Sequence, residues 1–430
     1  MKKLILGLAL SAAVLPAFSQ DVDKLIKEQD VKKIISTLAS DEFEGRGNFQ
    51  PGLEKAAKFI ENDFKSIGLE PLPGNKDFRQ RFSLYRTKTT SAQVSINGTA
   101  VPAEQVAALT GESFSWKDNA DVQVVKIAAG KTPQAEFRAV RQSGKKSLVI
   151  FDQSFERYFK RLKQAADEGT AGIKQSNQQI VAVLGSFDDV KLFTANVEAK
   201  TESLPLANIA GMIKGKSKPD EYVVFSGHYD HLGIIKPMEG DSIANGADDD
   251  ASGTTAVMSL ARYYKKLNNN ARSIIFVAFT AEEIGEYGSA YFATQVDPAK
   301  VMAMFNIEMI GKASKFGENS AFITGYNRSD FGEILQKNLQ GTKFKFYPDP
   351  YPEQDLFYRS DNASLARVGV PAHTISTDQI DVDKFYHTVK DELSTLDVNN
   401  ITATIRAIAL SSKTIIDGTD TPKRIPPLER

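Results

Sequence analysis

The residues of this chain best suited to chemistry are histidines and acids set in short, glycine-bearing motifs. They are His228 and Asp230 in "SGHYDHLG", Asp248 to Asp250 in "NGADDDASG", Glu282 and Glu283 in "FTAEEIG", Glu308 in "FNIEMIG" and His387 in "FYHTVKDE". Imidazole nitrogen and carboxylate oxygen are ordinary zinc donors, and two metals about 3.5 to 4 Å apart usually share a bridging carboxylate and a bridging water. The chain has no cysteine and 4 histidines, so any metal must be held by His, Asp and Glu. Two imidazoles with several acids suit a paired site with one histidine and one carboxylate on each metal. Without a cation, so many carboxylates in one poorly solvated cleft would raise one another's pKa values; divalent metals reverse the sign of the local field.

Each motif alone has a plainer reading. Adjacent aspartates cap helices or decorate a solvated turn, "AEE" commonly opens an exposed helix, and a single His-X-Asp arises by chance. The metal reading rests on their joint order and context, because each motif ends an apolar strand or begins a helix. Among the remaining candidates, Asp248 and Asp250 are expected to make backbone hydrogen bonds that shape their loop. His231 suits either the cleft or a loop hydrogen bond, and His373, inside the apolar "VPAHTIS", reads as a satisfied core residue. The aromatic, proline-bearing "FYPDPYPEQDLFYRSDN" suits either an ordered loop or an edge of the substrate pocket.

The elements that must position these groups begin near residue 204, where apolar strands alternate with amphipathic helices. "EYVVFSGH" ends at His228, "RSIIFVAFTAEE" ends in the two glutamates, and "AMFNIEMIG" carries Glu308 near its end. "SAFITGY" and "VPAHTIS" add further strands, and "SGTTAVMSLARYYKKL" is a helix with Val257, Leu260, Ala261 and Tyr264 on one face. Near-continuous apolar strands predict a sheet covered on both faces. Ligands of such α/β sheets gather beyond the carboxyl ends of the strands, so motifs far apart in sequence should converge. Residues 21 to about 70 read as helices around the loop "DEFEGRGNFQPG", with Gly68 as a C-cap. From about 87 to 203 the pattern is short β-like runs with one charged helical piece, "SFERYFKRLKQAADEG". This stretch reads as a separate insertion, and it carries no histidine.

At 430 residues the chain exceeds what one hydrophobic core supports, so two bodies, or one with a large insertion, are expected. A formal net charge of -1 gives no reason to expect a nucleic-acid or anionic-membrane partner. The first 20 residues, with Lys2 and Lys3, an apolar run from Leu4 to Leu15, and Ala17 and Ser19, read as a secretory signal peptide. No stretch reaches the roughly 20 apolar residues of a membrane span. An exported protein, periplasmic or secreted, is the expectation; the sequence sets no oligomeric state.

In this order, "SGHYDHLG", "NGADDDASGTTA", "FTAEEIGEYGS", "FNIEMIG" and "FYHTVKDELSTLD" resemble the co-catalytic zinc aminopeptidases of metallopeptidase family twenty-eight. The likeness is strong from 204 to about 415 and looser from 30 to 85, through "ASDEFEGRG" and "IGLEPL". It implies a mixed, mostly parallel central sheet with helices on both faces, and a divergent, mainly β protease-associated domain inserted at 90–203 between peptidase segments 21–89 and 204–430. It also implies two zinc ions, with cobalt or manganese compatible with the same ligands. His228 and Glu308 would bind one, Glu283 and His387 the other, and Asp249 would bridge. Asp230 would accept the second N–H of His228. Glu282 would act as general base on the metal-bridging water, and Tyr386 would polarise the scissile carbonyl. The family more often has aspartate at position 308, and many members have histidine where Asn362 stands. The resemblance implies hydrolysis of N-terminal residues from peptides. The alternatives are a zinc carboxypeptidase or dipeptidase, a glutaminyl cyclase-like enzyme, and a metal-free binding module.

Overall fold

A computed structural model describes residues 22–117, 121–187 and 189–428; the leader read at 1–20 lies outside them. The chain forms two units, one running up to Gln80 and resuming at Ala207, the other spanning Arg81–Leu206. Composition put the breaks at 89/90 and 203/204. The structural breaks fall inside two long strands, Arg79–Ile96 and Phe193–Ile213, where a continuous β pattern announces no boundary.

The first unit is built on a mixed sheet. Strand Lys218–His228 lies at its centre, parallel both to Arg272–Phe279 and to Val301–Ile307. Ala372–Ser376 runs parallel beside Val301–Ile307, and Ser320–Ile323 follows antiparallel. On the other side, residues 209–213 pair antiparallel with 274–278. The central strands are rich in Val, Ile and Phe, which suit a pleated, buried surface, and every residue of Arg272–Phe279 is buried.

Alternate side chains face opposite layers. Val224, Ile275, Val277 and Met304 pack with Phe292, Leu365 and Ala366 of the helices Tyr287–Gln295 and Asn362–Ala366. On the other face Phe276, Phe305 and Tyr264 of helix Gly253–Leu267 each stack on Phe225, and Phe305 packs at a tilt against Phe331 of helix Phe331–Asn338. Helices therefore cover both faces. Helix Pro51–Ile67 starts with proline in its first turn and ends at left-handed Gly68 (φ 79°), burying Ala57, Ile60 and Phe64. Among the described residues, no helix is long and apolar enough to cross a membrane.

The second unit contains a four-stranded sheet in the order Val106–Thr110, Gln179–Leu184, Ser147–Phe151, Gln123–Ile127. Two helices accompany it, Pro133–Gln142 and Glu156–Glu168, and Phe137, Val140 and Phe159 pack with Val149 and Phe151. The first of these helices was not apparent from sequence: only Phe137 and Val140 of its ten residues are buried, too few to mark a period.

His373 is fully buried in strand Ala372–Ser376. Its Nδ1 lies 2.8 Å from the Thr324 carbonyl and its Nε2 2.8 Å from the Ser329 hydroxyl. The carbonyl can only accept, so Nδ1 carries the proton and Nε2 accepts from serine. Burial drives the ring's pKa down to about 4, the Thr324 carbonyl opposing only in part. The unfolded chain therefore binds this proton first as pH falls, and the stabilisation, complete above about pH 6.5, is lost towards pH 4. We predict that the His373 C2-proton resonance stays at its neutral position down to about pH 5; titration with a midpoint near 6.5 would contradict the buried, neutral ring.

Candidate metal centre

Strand register explains why distant motifs meet. His228 is opposite Phe279, and Ser226 is opposite Asn306, in parallel ladders. Three adjacent carboxyl ends thus present His228, then Glu308 just past Ile307, then Glu282 and Glu283 after Ala281, which adopts a left-handed φ of 59°.

The three aspartates lie in a single turn, Ala247–Ser252, before helix Gly253–Leu267, and all are buried. The outer two hold the turn in place. Asp250 accepts the backbone N–H groups of His228 (3.1 Å), Gly253 (2.9 Å) and Met309 (3.1 Å). Asp248 accepts the N–H of Gly311 at 2.7 Å and lies 3.3 Å from the Lys312 ammonium. Gly253 permits the close approach, since a Cβ there would lie 2.0 Å from the Ile307 carbonyl oxygen. From the far loop, Asp391 accepts the N–H groups of Asp248 and Asp249, each at 3.0 Å.

So held, Asp249 extends its carboxylate between two imidazoles. Oδ1 lies 3.1 Å from Nε2 of His228, and Oδ2 lies 3.3 Å from Nε2 of His387. Glu283 Oε2 is 3.1 Å from the same His387 nitrogen, and Glu282 Oε2 is 3.8 Å from His228 Nε2. The Tyr386 ring stacks on His387, with centroids 3.9 Å apart.

One residue is placed differently from expectation. The carboxylate of Asp230 is not the partner of His228: Nδ1 of the imidazole is 3.0 Å from the Asp230 backbone carbonyl and 3.8 Å from its carboxylate. That carboxylate instead accepts the Asn48 amide at 2.6 Å and the N–H groups of Glu282 and Glu283 at 3.2 and 3.4 Å. A two-residue spacing brings both groups near the ring, and the carbonyl is the closer. The carboxylate is drawn to the unpaired N–H groups at the next strand's end. Glu308 follows the neighbouring strand end, where its carboxylate bonds the Ser360 hydroxyl and lies 3.4 Å from the Asn306 amide.

Sequence reasoning left His231 open and missed Asp391 and Asn48. His231 is buried with Nδ1 2.6 Å from Glu283 Oε1. Its place directly after Asp230 was the available signal; Asp391 and Asn48 are polar residues in loops, which pattern alone does not distinguish.

The electrostatics follow from burial. Burial opposes protonation of His228, but Glu282, Asp249 and Asp250 together outweigh it and hold its pKa well above the usual range. Burial opposes ionisation of Asp249, but His228 and His387 hold it well below the usual carboxylate value. Burial raises Glu282 well above its ordinary value, and Glu308 and Asp361 raise it further. Glu308 rises to about 7, with burial the largest cause. Burial disfavours His387 protonation, yet Asp249 and Glu283 lift it to about 10.

This donor set fits a divalent cation. Donor atoms of His228, Asp249 and Glu283 lie within 4.8 Å of one another. Among the described residues, Nε2 of His231 is buried without a hydrogen-bond partner, and Nε2 of His228, although 3.1 Å from Asp249 Oδ1, is not aligned for a hydrogen bond. A second acidic group, Asp248, Asp378 and Asp383, already encloses a cation: the Lys312 ammonium contacts both Asp248 and Asp383.

Residues 208–411 match the family described as Peptidase family M28. That stretch carries His228, Asp249, Glu282, Glu283, Glu308 and His387. A probable zinc metalloprotease of Pyricularia oryzae is 37% identical over 25% of this chain and 22% of its own length. A probable leucine aminopeptidase of Trichophyton verrucosum is 29% identical over 48% of this chain and 55% of its own length. The chain thus spans about a quarter of the first curated relatives it matches. The fold of this chain is also that of an aminopeptidase from Aneurinibacillus sp. strain AM-1, at 17% identity, TM-score 0.55, and coverage of 95% of this chain and 98% of that one. A zinc aminopeptidase from Bacillus subtilis gives 16% identity, TM-score 0.55, and coverage of 92% and 97%.

Asp391 supplies the acceptor for two buried N–H groups beside the cluster. Its replacement by alanine strands both, at about 1–3 kcal/mol each. We predict that Asp391→Ala lowers unfolding free energy by at least about 2 kcal/mol in urea titration. A variant as stable as the parent would show that the loop is held by other means.

Proposed function

We propose that this chain is an exported two-zinc exopeptidase of family M28, an aminopeptidase that removes N-terminal residues from peptides. His228 and Glu308 would hold one ion, Glu283 and His387 the other, and Asp249 both. The observation that carries this reading is the placement of the Asp249 carboxylate, one oxygen beside each of two imidazoles. Zinc at such a site supplies a Lewis acid for a peptide carbonyl and makes water nucleophilic at neutral pH.

The chain's own residues account for the rest. Glu282, its N–H anchored on Asp230, takes a proton from the attacking water and returns it to the leaving amine. The Tyr386 hydroxyl donates to the carbonyl oxygen as that atom gains charge. Asp230 orients the Glu282–Glu283 turn, and its carbonyl orients His228, so one residue sets both a ligand and the base. An adjoining pocket open to solvent has Met309, Phe322, Leu356 and Ile380 among its walls together with the charged Arg359 and Asp378, so it offers the side chain of the cleaved residue both apolar and charged surface. The name of the Trichophyton relative supports the aminopeptidase reading. Arg81–Leu206 is assigned as a divergent protease-associated module, on its place between the two segments of the peptidase unit.

The purified chain should carry two zinc ions, as measured by elemental analysis, and release free amino acid from amino-acid anilides until chelated. Glu282→Gln should keep its zinc and lose about 10²–10⁴-fold in kcat. Undiminished turnover by that variant would remove Glu282 from the mechanism. Pyroglutamate formation without peptide hydrolysis would favour cyclase chemistry, and absence of both zinc and activity after zinc addition would favour a binding module.

A further inference from the structure

Arg46 is fully buried, and each of its five N–H groups meets a main-chain carbonyl. Nε donates to Tyr229 (2.9 Å), Nη1 to Leu38 (2.7 Å) and Asn245 (2.6 Å), and Nη2 to Gly246 (2.8 Å) and Asp249 (3.5 Å). The Arg46 carbonyl accepts the N–H of His231 at 3.2 Å. One residue therefore grips both loops that present donors to the cluster, His228–His231 and Asn245–Asp249. The preceding turn is shaped for this: Glu44, Gly45 and Arg46 all have left-handed φ (50°, 64° and 54°), and a Cβ on Gly45 would lie 2.3 Å from the Ala244 carbonyl oxygen.

No carboxylate is among its hydrogen-bond partners, and burying an unpaired guanidinium is costly. Burial does lower its pKa, while the nearby charges of Asp249, Asp391, Asp250 and Asp230 oppose that shift. The cation and the acids thus compensate one another through the backbone that separates them. Lysine cannot replace it, having three rotatable donors instead of five in a fixed plane.

We infer that Arg46 is a positioning residue of the metal centre: a permanent buried cation whose fork keeps the two donor-bearing loops in their ligand-presenting shape when no metal is bound. The inference rests on the two-zinc reading proposed above. It differs from a purely structural role because it predicts a change in metal affinity beyond any loss of stability. Groups that orient ligands from behind typically govern 10- to 100-fold in affinity.

The test compares the full chain with Arg46→Met and Arg46→Lys, each stripped of metal. Zinc affinity is measured by competition with a chromophoric chelator, and Tm with and without zinc. We expect about 10- to 100-fold weaker zinc binding in Arg46→Met, a smaller loss in Arg46→Lys, and a reduced zinc-induced rise in Tm for both. Unchanged affinity with equal Tm losses in both states would overturn the inference. If Arg46→Met does not fold, hydrogen exchange of the metal-free parent decides. The amides of His231, Asp248 and Asp249 should remain protected, and free exchange there would overturn it equally. Failure of the parent itself to bind zinc would instead defeat the two-zinc reading.

Discussion

Concentrating carboxylates in an enclosed hollow is the constraint around which the first unit is built. Each negative charge taken out of water needs a specific compensation, because self-repulsion and desolvation act together in a poorly polarisable interior. The chain meets this requirement separately for each acid. Asp250 faces three backbone N–H groups, Asp248 faces the N–H of Gly311 and the Lys312 ammonium, and Asp391 faces the N–H groups of the aspartate turn. Asp230 faces the Asn48 amide and the turn bearing the two glutamates. Asp249 is left to meet imidazoles, which makes it the acid most open to a metal.

This arrangement depends on a rigid platform. Adjacent strands ending at the same level, with both faces covered by helices, set His228, Glu282, Glu283 and Glu308 at neighbouring strand ends without any long loop between strand and donor. The second histidine comes from a longer connection, after strand Ala372–Ser376, and His387 is correspondingly the more exposed of the pair at 38%, against 1% for His228. One donor is therefore built into the sheet and the other is brought over it. The aromatic stack with Tyr386 and the anchoring of Asp391 on the aspartate turn restrict that segment at both sides of His387.

The periodicity of the apolar strands and the helix patterns of the first unit were legible in the sequence, because fully buried strands and amphipathic helices leave distinct repeats. The unit boundaries were less so, since the chain crosses them in extended conformation. Around the cluster, the motifs singled out His228, Asp249, Glu283 and His387, which the fold draws together. The pairing of His231 with Glu283, the fivefold grip of Arg46 and the choice of the Asp230 carbonyl over its carboxylate were not readable. They depend on which acceptor lies nearest in space, and spacing along the chain does not encode that distance.

By itself the sequence determined the chemistry available here. With no cysteine and few histidines, a site for a transition metal had to combine imidazole with carboxylate, and the run of apolar strands required those groups to sit where the strands end. Only tertiary structure decided which oxygen faces which nitrogen. It did so because strand register, a left-handed turn at Arg46 and close packing at glycine set positions to a fraction of an ångström, and hydrogen-bond and ion-pair energies vary over that length.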